Sequence, residues 1–265
     1  MNYPEDLNQK IYSYYLNYYK NVCCIKNPAK RALFRLNEEA NESKRLKRLL
    51  DILNLSLQNQ RHFIVGTGTG GLAVVLKKEF NCQVYGLEPD PKALSITKTK
   101  AELSGLDSNN FKLAPAENIP FPDNSFDFVH CFTVLEHVTN IKKSIQEMIR
   151  ITKPDGHIYI NTPNYNYPYE GHYKTPFPTF LPKTFGYLYL ILLGKSPKFL
   201  KTINFITPKK IDKILLSLKN ISWIRIYEST PRQSGHLGPF FNFFKFELGI
   251  YPNQEILITK NASRS

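Results

Sequence analysis

Across its 265 residues the chain has one tryptophan, two methionines and four cysteines, and it is short of acid, with 22 Asp+Glu against 35 Lys+Arg. The four cysteines, Cys23, Cys24, Cys82 and Cys131, fall at no zinc-binding spacing. Adjacent Cys23 and Cys24 make poor disulfide partners, so a reduced, cytoplasmic setting is the expectation. No long hydrophobic run is present. The most apolar stretch, FGYLYLILLG at residues 185–194, is about half the length a membrane span needs and reads as a short packed helix. The polar opening MNYPEDLNQK does not read as a secretory leader. Internal repeats and low-complexity tracts are also lacking, which argues against a solenoid or a disordered bulk.

What is there suits a folded chain: 42% hydrophobic and 22% charged residues, with a net charge of +13. The excess is uneven. From residue 171 onward, 14 Lys+Arg face 4 Asp+Glu. A basic face attracts phosphates, nucleic acid or anionic lipid. Because Lys183, Lys195 and Lys198 flank the apolar stretch, a peripheral membrane contact is one expectation.

Residues 1–60 read as a helical extension. Leu33, Leu36, Leu46, Leu49, Leu50 and Leu53 recur on one helical face, and an aromatic cluster spans residues 12–19. From residue 61 the rhythm changes to short apolar runs alternating with amphipathic stretches. Strands are expected at 62–66, 82–87, 111–114, 126–132 and 157–161, with helices at 70–80, 92–104 and 141–151. A turn is expected at Lys153-Pro154-Asp155-Gly156. A helix at 208–218 and strands at 223–227 and 255–259 follow. This alternation predicts an α/β, Rossmann-like, mostly parallel sheet of seven strands with helices on both faces. The domain would run from 61 to 265, with insertions at about 162–206 and 231–251.

Two short motifs carry the first chemistry. Gly66-Thr67-Gly68-Thr69-Gly70-Gly71 follows the first expected strand. Glycines there let backbone approach a ligand, and the next helix offers its free N–H groups. Glu88, 18 residues after Gly70, ends the second strand in VYGLEPD, where a carboxylate can accept both hydroxyls of a ribose. Together they point to a nucleoside, but they do not separate S-adenosylmethionine (SAM) from a dinucleotide.

A third block separates them. APAENIPFPDNSFDFVH at 114–130 leads into Leu135-Glu136-His137-Val138, and the helix after it ends in Lys153-Pro154-Asp155-Gly156. With the glycine turn and Glu88, this resembles the class I SAM-dependent methyltransferases, in particular the ubiquinone-biosynthesis-like (type 11) branch, over residues 60–164. The resemblance implies SAM as cofactor. It implies that Gly66, Thr67, Gly68 and Gly70 cradle the methionine end, that Glu88 holds the ribose, and that Ala116 and Glu117 border the adenine. Thr133 would line the floor near the sulfonium. The family's acid two positions before the first glycine is Ile64 here, and its adenine-loop Asp is Pro115. Some relatives bind a metal through acids around the Glu136-His137 block. Thr133 stands where the first acid would be, so no metal is expected.

Methyl transfer to a hydroxyl is helped by a general base, and His137 and His172 are the candidates. In open α/β sheets ligands lie beyond the carboxyl ends of the strands. That places the stretch after the fifth strand over the acceptor, with Tyr165, Glu170, His172 and Tyr173 as expected contacts. The expected function is a methyltransferase for a small-molecule or carrier- or glycan-linked acceptor, at oxygen. The basic C-terminal half raises RNA methylation as the alternative, against which Thr133-Val134-Leu135-Glu136 lacks the N/D-P-P-Y/F pattern of amino-methylating enzymes and no RNA-binding module is visible. Ile64 and Pro115 raise a non-catalytic SAM binder. The LEHV block argues against a nicotinamide oxidoreductase.

Overall fold

In the computed structural model, residues 3–179, 181–226, 243 and 249–262 are described. The sheet is built from β1 (Arg61–Val65), β2 (Gln83–Leu87), β3 (Phe111–Lys112), β4 (Phe126–Phe132), β5 (Thr152–Pro163), β8 (Ile221–Arg225) and β9 (Asn253–Lys260). A separate hairpin holds β6 (Tyr169–Glu170) and β7 (Thr175–Pro176). The seven strands lie in the order β3-β2-β1-β4-β5-β9-β8. The first five run parallel, β9 is antiparallel to β5, and β8 is antiparallel to β9. The expected Rossmann-like architecture is therefore present, with its switch point between β1 and β4.

Alternation along the strands buries both faces. Phe63 and Val65 of β1, Val129 and Cys131 of β4, and Ile158 and Ile160 of β5 point to one side, under α6 (Ile141–Ile151) and α8 (Pro208–Leu216). Ile64, Phe128, Tyr159 and Leu257 point to the other, under α3 (Glu38–Leu53), α4 (Gly71–Phe80) and α5 (Pro91–Leu103). Strands buried on both faces need near-continuous apolar runs, which is how β1 and β4 read.

Helix starts follow local chemistry. The Asn140 side chain accepts the Lys143 N–H at the start of α6, and Asp90 accepts that of Lys92 ahead of Pro91 at the start of α5. One expectation is corrected. Lys153-Pro154-Asp155-Gly156 does not separate helix from strand. It bulges out within a single strand, Thr152–Pro163, because Phe126 pairs with Thr152 and Phe128 already pairs with His157.

The N-terminal residues form α1 (Glu5–Asn17), a π-turn (Tyr18–Val22), α2 (Pro28–Arg35) and α3. Leu7, Ile11 and Tyr15 of α1 pack with Ala32 and with Ile96 of α5, while Leu46 and Leu49 of α3 join the sheet core. The stretch after β5 is more ordered than an irregular loop. The β6–β7 hairpin, α7 (Lys183–Leu192) and a 3-10 turn (Phe199–Thr202) enclose their own small core of Tyr165, Tyr173, Phe177, Leu190, Leu200 and Ile203. The insertion expected at 231–251 lies mostly outside the described residues.

Candidate active site

The glycine turn sits at the carboxyl end of β1, beside the switch point. Gly66, Gly68 and Gly70 have φ of +73°, +56° and +87°, a region costly for other residues. The three glycines do different things. A Cβ at Gly66 would stand 2.5 Å from Val134 Cγ2, so the turn packs against the segment after β4, whereas a Cβ at Gly68 would meet nothing within 4 Å. Open space over Gly68, with Gly70 capping α4, is the cradle a ligand needs.

Glu88 faces this turn. Its Oε2 accepts the Gly68 N–H at 2.8 Å and its Oε1 the Asp90 N–H at 3.1 Å. Each carboxylate oxygen has a further lone pair, so Glu88 is oriented but not saturated. Desolvation raises its pKa above the usual carboxylate value. Thr67 is positioned from behind: its hydroxyl lies 3.3 Å from that of Thr97, which donates to the Gly68 carbonyl at 2.8 Å.

Ala116, in the loop between β3 and β4, is buried in the core. Glu117, in the same loop, joins it to the next helix. Its Oε1 accepts the Thr139 N–H at 2.6 Å, the Thr139 hydroxyl at 2.7 Å and the Asn140 N–H at 3.1 Å, tying the loop to the start of α6. Thr133, at the end of β4, has φ +52°, strained for a β-branched residue. Such strain collects where a backbone is held for function.

Past Thr133 a second constellation forms. Glu136 is fully buried; Thr162 donates to its Oε2 at 3.0 Å, its Oε1 has no hydrogen-bond partner among the described residues, and desolvation pushes its carboxyl up to about 7. The His137 and His172 rings meet edge to face at 5.1 Å, each also against Phe199. Desolvation, with His172 nearby, pushes His137 down to about 4, although its residue surface still reaches solvent. His172 Nδ1 lies 2.7 Å from Glu170 Oε1. Burial works to raise Glu170, but the hydrogen bond and charge of His172 outweigh it and hold the carboxyl below its usual value. Glu136, His137 and His172 each bring one possible cation ligand atom to within 4.8 Å of the others. The third partner comes from the segment after β5, so no local spacing predicts the gathering.

The four expected acceptor contacts divide. Tyr165 is buried, stacks on Phe205 at 4.4 Å and donates to Glu170 at 3.2 Å. Tyr173 is fully buried; its hydroxyl donates to the Ser196 carbonyl at 2.8 Å and accepts the Leu200 N–H at 3.1 Å. Glu170 is buried as well and accepts the Tyr173 N–H at 2.7 Å. These three side chains lie buried beside His172, with their polar atoms bonded within the protein.

One contributor has no sequence signal. Glu38, on α3, accepts the Thr69 hydroxyl at 2.6 Å inside the glycine turn, and its Cγ lies 2.6 Å from where a Gly71 Cβ would stand. It pairs with Lys100 at 2.6 Å and Arg35 at 2.9 Å. These charges outweigh the effect of burial and lower its pKa. A carboxylate thus reaches the turn from the N-terminal extension, while the side chain of Ile64 is given to the core.

Comparison with known proteins agrees with this geometry. A family profile described as a methyltransferase domain matches residues 64–160. The chain is 33% identical over 97 residues to a norajmaline N-methyltransferase of Rauvolfia serpentina, covering 36% of this chain and 33% of that protein. It spans about a third of the length of the first curated relatives it matches. A longer match, 30% identical over 174 residues, covers 65% of this chain and 71% of an uncharacterised protein of Methanocaldococcus jannaschii. Among solved structures, the YcgJ protein of Bacillus subtilis superposes with a TM-score of 0.55 at 16% identity, covering 81% of this chain and 97% of that one. A geranyl diphosphate methyltransferase in complex with SAM gives 0.53 at 14% identity, covering 89% of each chain. With the strand order, the glycine turn and Glu88 in place, the chain belongs to the class I SAM-dependent methyltransferases.

Proposed function

We propose that this protein is a SAM-dependent methyltransferase that methylates an oxygen of a small-molecule or carrier-linked acceptor. The observation that carries the reading is the pairing of an open glycine turn with an oriented carboxylate: space over Gly68, and Glu88 fixed by two backbone N–H groups with lone pairs to spare. The turn held by Gly66 and Gly70 leaves the methionine end room over Gly68, and Glu88 receives the ribose hydroxyls. Bound SAM supplies an activated methyl group for direct displacement, so alignment provides much of the rate.

The protein's own contribution to the second reactant is His172. Glu170 holds one ring nitrogen, which leaves the other to take a proton from an acceptor hydroxyl. Glu170 is itself fixed by Tyr165 and the Tyr173 N–H, a supporting layer that keeps the imidazole oriented. His137 and Phe199 form one wall of this space.

Calorimetric titration with SAM and S-adenosylhomocysteine tests the reading. Wild-type protein is expected to bind both, and Glu88→Gln to bind about 10- to 100-fold more weakly, the worth of hydrogen bonds to a charged group. No detectable uptake by the wild type sinks the assignment. Uptake with no turnover over a broad hydroxyl-acceptor panel supports the non-catalytic alternative instead.

A further inference from the structure

Between α2 and the segment after β5 lies a groove of about 660 Å³ that the proposed reaction does not use. Five cations line it, Lys26, Lys30 and Arg31 from one wall and Lys174 and Lys195 from the other, and its described lining contains no carboxylate. The start of α2 adds to this field. Its first turn has no acidic residue and the Asn27 side chain caps no N–H, so the positive end of the helix is left uncompensated. Desolvation, together with Arg31, lowers the Lys174 pKa, as expected where like charges are crowded. The apolar part of the lining is Ile25, Phe34 and Leu193.

Leu193 joins the groove to α7. That helix buries Gly186 and Leu190 and turns Phe185, Leu188, Ile191 and Leu192 outward, Leu192 being 85% exposed. On the α2 side, Leu33 and Phe34 are exposed as well. Exposed leucines and phenylalanines next to a cluster of lysines lacking acids match the composition of a surface that sits in the headgroup layer. A nucleic-acid face has the cations but gains nothing from the outward leucines, and a protein-binding face is usually depleted in lysine.

We infer that this face docks on an anionic membrane, with lipid phosphates in the groove lined by Lys26, Lys30, Arg31, Lys174 and Lys195 and with α7 lying in the interface. Tyr173 and Lys174 follow His172 directly, so docking brings the acceptor cluster to the lipid surface. A lipid-anchored acceptor is then the class the enzyme meets, a consequence that rests on the proposed reaction, whereas the docking does not.

Co-sedimentation of the full chain with vesicles tests the docking, at about 0.1 M salt, where surface charges still act over ~10 Å. Binding is expected to vesicles of equimolar phosphatidylglycerol and phosphatidylcholine and not to phosphatidylcholine alone. Lys26→Gln with Lys30→Gln is expected to weaken it about 30-fold, at ~1 kcal/mol for each cation near an anionic surface. Leu188→Asp with Leu192→Asp is expected to weaken it tenfold or more. Both double variants should keep wild-type SAM affinity, which shows that they are folded and separates this result from failure of the methyltransferase reading. The inference is overturned by three results: equal binding to the neutral vesicles, release by millimolar inorganic phosphate, or binding of a random RNA oligonucleotide in place of vesicles.

Discussion

Lys100→Met probes how the N-terminal extension is joined to the cofactor turn. The Lys100 ammonium is buried and sits 2.6 Å from Glu38 Oε1 and 2.7 Å from Glu39 Oε1. Methionine fills similar volume but leaves two buried carboxylates with one fewer cation. Breaking a buried pair by removing one partner costs about 3–5 kcal/mol, a large share of the 5–15 kcal/mol that holds a typical domain together. Arg35 at 2.9 Å still serves Glu38, which places the loss toward the lower end of that range. Because Glu38 also accepts from Thr69 in the glycine turn, SAM affinity should fall together with stability. Glu39→Gln in the Lys100→Met background removes the stranded charge while keeping an acceptor for the Tyr3 hydroxyl, and should restore about 0.5–3 kcal/mol of the loss. Urea unfolding at constant m-value reads the stability, and calorimetry reads the affinity. A single variant destabilised by less than about 1 kcal/mol, or a double variant less stable than Lys100→Met alone, would refute the reasoning.

Acid should weaken the fold through His62 and His130, which are buried on neighbouring strands with Nδ1 and Nε2 2.9 Å apart. Burial lowers His62 from 6.5 to about 4 and lowers His130 as well. The unfolded chain therefore takes up protons first, so stability is complete above pH 6.5 and falls as pH drops toward 4, by roughly 3 kcal/mol from His62 alone. Urea midpoints unchanged between pH 7 and pH 4.5 in wild type would count against it. At the active site, His172→Ala and Glu170→Gln should each lower turnover about 10²- to 10⁴-fold, with SAM affinity within a factor of two of wild type. Loss of SAM binding in either would show that this cluster does not serve the acceptor. Gly66→Ala should be the more destabilising change, since its Cβ would strike Val134 and its φ is +73°, while Gly68→Ala should cost the free protein only about 1–2 kcal/mol but weaken SAM binding, since its methyl group enters the space left for the ligand. Equal stabilities of the two variants in urea, or wild-type SAM affinity in Gly68→Ala, would contradict the different roles given to these glycines.

Much of the sheet was legible because its signals are local. β4 and α6 fall at the expected residues 126–132 and 141–151, since an apolar run bounded by turns and a capped amphipathic stretch fix their own ends. The glycine turn and Glu88 were legible for the same reason, as strand ends deliver them to one edge whatever the rest of the chain does. The bulge within β5 was not, because Pro154 and Gly156 read as a break until the pairing of Phe126 with Thr152 carries the strand past them. The partners of Tyr165 and Tyr173, Glu170 and the backbone at Ser196 and Leu200, were not legible either, because sequence shows polar tips and not what bonds them.

By itself, the sequence determined the kind of sheet and the meeting of the glycine turn with Glu88 at one edge of it, because strand periodicity, glycine at positive φ and a carboxylate at a strand end act over a few residues. Only the tertiary structure decided what surrounds that place: Glu38 reaching Thr69 across 31 positions, and His172 meeting His137 from the next strand's loop. Buried charges find partners wherever the packed chain brings them, and sequence distance carries no record of it.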